Sequence, residues 1–165
     1  NITFGGGHED GLRSGTVNVA AAVSLAKSLR LSQEKVEVIK VKHKEYKKLI
    51  VDEFSKYKHI VINSPLSENF MDSIVNISLP KIKGEVIVNA LNDRGIMVST
   101  TSACSSKTFH LNEALYARGL SKENIEGSIR VSFSYETTRK EVETFIEVLI
   151  DEYNKKFKEV IESGI

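Results

Sequence analysis

One cysteine, two prolines and almost no net charge are what these 165 residues have least of. A single thiol excludes an intrachain disulfide framework and a cysteine-rich zinc site. With two prolines, no internal repeat and no low-complexity stretch, the chain shows no compositional linker. The 23 basic and 22 acidic side chains leave a formal charge of +1. That balance argues against a nucleic-acid binder, which leans on a basic footprint. No apolar run approaches the roughly 20 residues a membrane span needs, and the opening NITFGGG has no signal-peptide pattern. The remainder, with 41% hydrophobic and 27% charged residues, is an ordinary globular composition with length for one domain or slightly more. Residue 1 is Asn rather than Met, so the chain reads as a piece whose beginning lies elsewhere.

Along the chain, residues 1–16 are rich in glycine and charge and are expected to form no regular element. Residues 17–29 (VNVAAAVSLAKSL) favour a helix, and Ser32 is placed to cap a second one. In that second helix Val36, Ile39, His43, Tyr46, Ile50 and Phe54 mark one face, and Lys35, Lys42, Lys44, Lys47 and Lys48 a solvated opposite face. Residues 59–63 (HIVIN) and 73–79 read as strands, the latter because Val75, Ile77 and Leu79 alternate with Asn76 and Ser78. Residues 84–93 predict a helix ending near Gly95, residues 96–100 a strand, and residues 111–118 a short helix ending at Gly119. Ile129, Val131 and Phe133 alternate with Arg130, Ser132 and Ser134 as a strand with one polar face. Thr138 and Glu141 form a capping box for a final helix. The order of elements predicts a layered α+β or α/β fold, helices packed on one small sheet, with a break in character near residue 30.

Three segments could carry chemistry. The glycines at 5–7, 11 and 15 fit neither the phosphate-loop nor the dinucleotide pattern. With Arg13, Ser14 and Thr16 before a helix they suit an anion site, but spacing favours a plain turn with Thr16 as N-cap. Cys104 has the default reading of a small buried hydrophobe. Yet seven of the ten residues 99–108 (STTSACSSKT) are Ser or Thr, which predicts a polar surface loop and a thiol available for nucleophilic or transfer chemistry. His110 is near enough in sequence to act as a base, though a lone His at a helix start is more often structural. Arg130, inside an alternating strand, either faces a cleft where it grips a carboxylate or sits on an open sheet face or in a salt bridge.

In this order, GGGHEDGLRSGT, STTSACSS and GSIRVSFSYETT resemble the C-terminal part of the pyridoxal-phosphate-dependent cysteine desulfurases of the class V aminotransferase group. GIMVS before the cysteine and ALYARGL after it fit as well. The sequence departs from the family pattern at Asp10, Val17 and residues 109–113. The resemblance implies the small C-terminal domain of a fold-type-I enzyme, α+β and preceded by a long helix. Residues 1–30 would be the end of the large cofactor domain with the linking helix, and residues 31–165 the small domain.

By the same resemblance, Cys104 is the nucleophile that takes sulfur from L-cysteine as a persulfide, leaving alanine. Arg130 matches the arginine on the substrate carboxylate. Thr16 matches a contact to the cofactor phosphate of the neighbouring subunit, so a homodimer is implied. The family's Schiff-base lysine would lie before residue 1, so the chain alone is expected to be inactive. The implied partners are sulfur-acceptor proteins of the iron–sulfur scaffold or tRNA-thiolation type; the implied setting is cytoplasmic, with no metal, nucleic acid or membrane. The alternatives are a stand-alone sulfur-carrier or interaction module, or a related aminotransferase or selenocysteine lyase.

Overall fold

A computed structural model describes residues 3–100 and 113–162. The fold is α+β, and the chain divides into two compact units, residues 1–38 and 39–165. In the first unit a 3-10 turn, Glu9–Gly11, follows the triple glycine, and Thr3 makes an isolated bridge to Arg13. Nearly every residue of this unit is exposed, Ser14 being buried.

The helix α1 runs Val19–Phe54 without interruption, 36 residues in place of the two helices expected. No glycine or proline falls between residues 17 and 54 to stop it. Ser32, expected as a cap, instead donates its hydroxyl back to the Ser28 carbonyl at 2.9 Å. A serine inside a helix satisfies itself in this way when the chain does not break there. Its last turns, from residue 39 onward, belong to the second unit and bury Tyr46, Ile50 and Phe54.

The second unit is built on a four-stranded antiparallel sheet in the order β1-β2-β4-β3. Its strands are β1 (Val61–Ile62), β2 (Ile74–Ser78), β3 (Ser99–Thr100) and β4 (Ser128–Ser132). Helices α2 (Gly84–Asp93), α3 (Glu113–Ala117), α4 (Lys122–Glu126) and α5 (Arg139–Glu162) complete it. Val75 and Ile77 of β2 and Ile129 and Val131 of β4 enter one core with Ile87 and Leu91 of α2 and Val142, Phe145 and Leu149 of α5. Tyr46 meets Phe133, and Phe54 meets Phe145, both edge to face. Each such fully buried side chain contributes about 1.5–3 kcal/mol of hydrophobic transfer. Thr138 and Glu141 do form the expected capping box: Thr138 N donates to Glu141 at 2.7 Å, and Glu141 N to Thr138 Oγ1 at 3.3 Å.

Two further elements differ from expectation. Only Ser99 and Thr100 of residues 96–100 pair with β4. The reason lies upstream: Gly95, at φ +77°, turns the chain, and Ile96 N is drawn back to the Leu91 carbonyl at 2.9 Å. Helix α4 was not expected at all. Ser121 caps it by accepting from Asn124 N at 3.2 Å, and Gly127 closes it. A Cβ on Gly127 would stand 2.5 Å from the Leu79 carbonyl oxygen, so only glycine lets α4 press against the end of β2.

Lys47 is fully buried on α1. Its ammonium donates to the Met71 carbonyl at 3.1 Å and lies 5.6 Å from the centre of the Phe70 ring. Burial lowers its pKa, with the Asp72 carboxylate opposing. The unfolded chain keeps this proton up to the ordinary lysine value of about 10.4. Between the two values the unfolded state binds more protons, so stability from this group rises with pH. Urea unfolding of wild type and Lys47→Met at a series of pH values should therefore show the difference moving in favour of wild type as pH climbs toward about 10.4. A difference flat in pH would contradict the burial of a titrating ammonium.

Candidate functional site

Antiparallel pairing places directly opposed residues on the same face of a sheet. Arg130 of β4 stands opposite Asn76 of β2 on one side and Ser99 of β3 on the other. An amide, a guanidinium and a hydroxyl thus form one row across three strands, on the face turned away from Val75, Ile77, Ile129 and Val131. Of this row Asn76 is 8% exposed, and Arg130 is exposed.

The other arginines all have partners. Arg13 donates to the carbonyls of Gly15 and Thr16; Arg30 pairs with Glu34, and Arg94 with Asp151 and Glu152. Arg118 donates to the Asn63 carbonyl at 2.6 Å and stands 4.6 Å from the centre of the Phe70 ring. Arg139 pairs with Glu45 and Glu143. Among the described residues Arg130 has no such partner. Of the readings open from sequence, a salt bridge is therefore absent among the described residues, and an unpaired cation on a polar face remains.

Beside it lies a buried polar chain. Asn63 donates through Nδ2 to Asn76 Oδ1 at 2.6 Å and to Ser78 Oγ at 2.7 Å. Ser78 Oγ donates to the Asn124 carbonyl at 2.6 Å. Ser64 Oγ accepts from Asn76 N at 2.7 Å. Helix α4 therefore covers one end of the polar face, toward Ser78. Sequence reading saw Asn76 and Ser78 only as the polar half of an alternation. Their mutual bonding depends on the hairpin register, which no local pattern encodes.

A cleft of about 520 Å³ opens where residues 96–98 diverge from β4. Val131, Phe133, Val142 and Phe145 line it together with Arg94 and Glu141. Arg94 is engaged by α5 and Glu141 by Thr138, whose bonds hold the Glu141 carboxyl below the usual carboxylate range, and Lys140 also lines the cleft. The cleft thus combines apolar walls with one lysine and no cluster of converging charges.

In the first unit, Thr16 is exposed and does not cap α1. Asn18 does so instead, its Oδ1 accepting from Ala21 N at 3.0 Å. The turn-with-Thr16-cap reading is corrected: the cap lies two residues later, because Arg13 binds the Gly15 and Thr16 carbonyls and holds that backbone in its turn. The Thr16 hydroxyl is left outside the helix. Cys104 and His110 lie outside the described residues.

Residues 6–145 match the model of the aminotransferase class-V family. The chain is 36% identical to a NifS/IcsS protein homolog of Lactobacillus delbrueckii subsp. bulgaricus, over 97% of this chain and 41% of that protein. It is 34% identical to a cysteine desulfurase, IscS 1, of Archaeoglobus fulgidus, over 90% of this chain and 38% of the relative. Among solved structures, a NifS-like protein superposes with a TM-score of 0.77 at 28% identity, covering 90% of this chain and 37% of the other. The chain spans about two fifths of the length of the curated relatives it matches.

The capping assignment is testable by amide hydrogen exchange. Asn18→Ala should speed exchange in the first turn of α1 about fivefold, corresponding to about 1 kcal/mol. Thr16→Val should leave those amides unchanged.

Proposed function

This chain belongs to the class V aminotransferase family, and on that footing we propose that it is the smaller, C-terminal portion of a cysteine desulfurase. The reading divides it at about residue 30, the first part closing a large cofactor domain and the second forming the small domain. Its family is pyridoxal-phosphate-dependent, and when bound that cofactor supplies an electron sink for the substrate's α-carbon. The residues here fit a contact to its phosphate but not its covalent attachment. Thr16 carries an exposed hydroxyl that the helix cap does not use. Lys47, the buried lysine of the described residues, is committed to the Met71 carbonyl. On this reading the attaching lysine belongs to the portion of the relatives that this chain does not match, and the chain alone would be inactive. Thr16 would serve the neighbouring subunit's cofactor in a homodimer.

The observation that carries the proposal is Arg130, unpaired among the described residues and centred in a polar row. A guanidinium presents two parallel donors to a carboxylate, so Arg130 would hold the α-carboxylate of L-cysteine and orient the substrate. Cys104, as thiolate, attacks the substrate sulfur. The sulfur–carbon bond breaks with its electron pair left to the β-carbon, a sulfur–sulfur bond forms on Cys104, and the β-carbon takes up a proton so that the three-carbon remainder leaves as alanine. The persulfide then passes to acceptor proteins of the iron–sulfur scaffold or tRNA-thiolation type, in the cytoplasm. No helix of the described residues is long and apolar enough to cross a membrane.

The test uses the cofactor-loaded protein carrying this chain. Cys104→Ser should leave the cofactor spectrum intact and abolish persulfide on this residue, read by mass spectrometry after L-cysteine is added. Arg130→Ala should raise KM for L-cysteine by roughly tenfold or more, the cost of a lost charge-assisted bond. Undiminished alanine production by the Cys104→Ser protein with acceptor present would overturn the nucleophile assignment. An unchanged KM would remove Arg130 from the carboxylate site.

A further inference from the structure

The polarity of the buried chain beside Arg130 is set from one end. The Asn124 carbonyl oxygen can only accept, so the Ser78 hydroxyl must donate to it. Having spent its hydrogen, Ser78 Oγ accepts from the Asn63 side chain, which identifies that donor as the amide nitrogen. The same nitrogen's second hydrogen goes to Asn76, so the Asn76 atom receiving it is the carbonyl oxygen. What remains of Asn76 is its Nδ2 group, with two hydrogens and no described acceptor. This group belongs to a residue 8% exposed and stands in register beside the unpaired Arg130. A buried chain of hydrogen bonds therefore ends in a donor placed next to a cation.

Two adjacent donors with no acceptor between them call for an anion. The backbone of Asn76 is engaged too: its N–H donates to Ser64 Oγ, and its carbonyl accepts from Asn63 N at 2.9 Å. Neither the strand nor the side chain is able to turn the amide over without breaking this sequence of bonds. A donor fixed in this way meets its acceptor with little further loss of side-chain freedom. A carboxylate has two oxygens and about four acceptor positions, enough for a guanidinium on one oxygen and an amide on the other.

We propose that Asn76 is a second binding residue for the α-carboxylate of a small amino acid, donating through Nδ2 beside Arg130. The inference rests on the carboxylate-binding reading of Arg130 and names the substrate class that the row selects: α-amino acids with an ionised carboxyl group, over their amides. Discrimination arises because a carboxamide turns its own NH2 toward one of the two donors. One donor of the row is then left unsatisfied, which costs more than the missing bond alone.

Two measurements test this. First, this chain is titrated with L-alanine or with L-alaninamide while the side-chain resonances of Asn76 and Arg130 are followed by NMR. L-Alanine should shift both sets along one saturable curve, the amide should shift neither comparably, and Arg130→Ala should weaken the Asn76 response. An Asn76 amide that does not respond to L-alanine overturns the proposal, whether or not Arg130 responds. Second, Asn76→Leu removes the donor without placing a second charge beside Arg130. In the cofactor-loaded protein it should raise KM for L-cysteine by roughly tenfold or more with kcat within about twofold, whatever the urea midpoint does on loss of the bond from Asn63. A lowered urea midpoint with unchanged KM would make Asn76 a structural residue and sink the proposal. Failure of Cys104 to form a persulfide would remove the desulfurase reading and leave the L-alanine titration to judge Asn76 by itself.

Discussion

The register of β2 against β4 is the constraint on which the rest depends. Val75 faces Val131 and Ile77 faces Ile129, while Asn76 faces Arg130 and Ser78 faces Ser128. A slip of β2 by one residue would turn each of its side chains to the opposite face. Asn76 and Ser78 would then meet Leu91, Phe145 and Leu149, and the apolar set would lie under α4. Burying an amide and a hydroxyl unpaired costs on the order of 1–3 kcal/mol each. Val75 and Ile77 would lose their burial at the same time. One alignment of five residue pairs therefore secures the core and the polar row together.

The polar face is not uniform, and its two regions are treated differently. Toward Ser78, helix α4 covers it, and every polar group meets a partner: Ser78 meets the Asn124 carbonyl, and Ser128 Oγ donates to the Ile125 carbonyl at 2.9 Å. The nearby cations are likewise satisfied. Lys47 and Arg118 each donate to a main-chain carbonyl and approach the ring of Phe70. At Arg130 this pattern stops. The same fold that finds acceptors for a fully buried lysine supplies none to this arginine among the described residues. A stability argument accounts for the covered region but not for an unpaired guanidinium at the centre of a sheet, where a small hydroxyl or apolar residue would suit the fold as well. The proposed recognition of an external carboxylate would account for it.

Much of the architecture could be read from the chain because its signals are local. The capping box at Thr138 and Glu141, the terminator Gly95 and the alternation around Arg130 each depend on residues within a few positions of one another. What escaped reading depends on partners far along the chain or on competition between neighbours. Ser32 has the chemistry of a cap, but nothing around it breaks the helix, and the hydroxyl turned inward to Ser28. Thr16 lost the capping role to Asn18 because the Arg13 guanidinium claimed the carbonyls around it. Residues 96–98 have strand character, but the C-terminal cap of α2 uses Ile96 N first. Arg130 was visible as a candidate from alternation. Asn76 was not, since its significance comes from Asn63, thirteen positions back, and from Asn124 through Ser78.

In the proposed function, carboxylate recognition would sit on paired strands while the thiol belongs to a Ser/Thr-rich segment, which would separate two physical demands. Orientation of a substrate requires donors held to a fraction of an ångström, and residues on paired strands with a bonded second layer meet that requirement better than residues on loops. Here the second layer consists of Asn63, Ser78 and the Asn124 carbonyl, so α4 acts on the row at a distance through hydrogen bonds. The proposed delivery of sulfur would make the opposite demand, because the same atom would be reached by a bound substrate and later by an acceptor. On this view the short helix that sequence reading overlooked is part of the recognition apparatus. The Asn124 carbonyl sets the hydrogen-bond direction through Ser78 and Asn63, and so leaves a donor, the Asn76 Nδ2 group, in the row with Arg130.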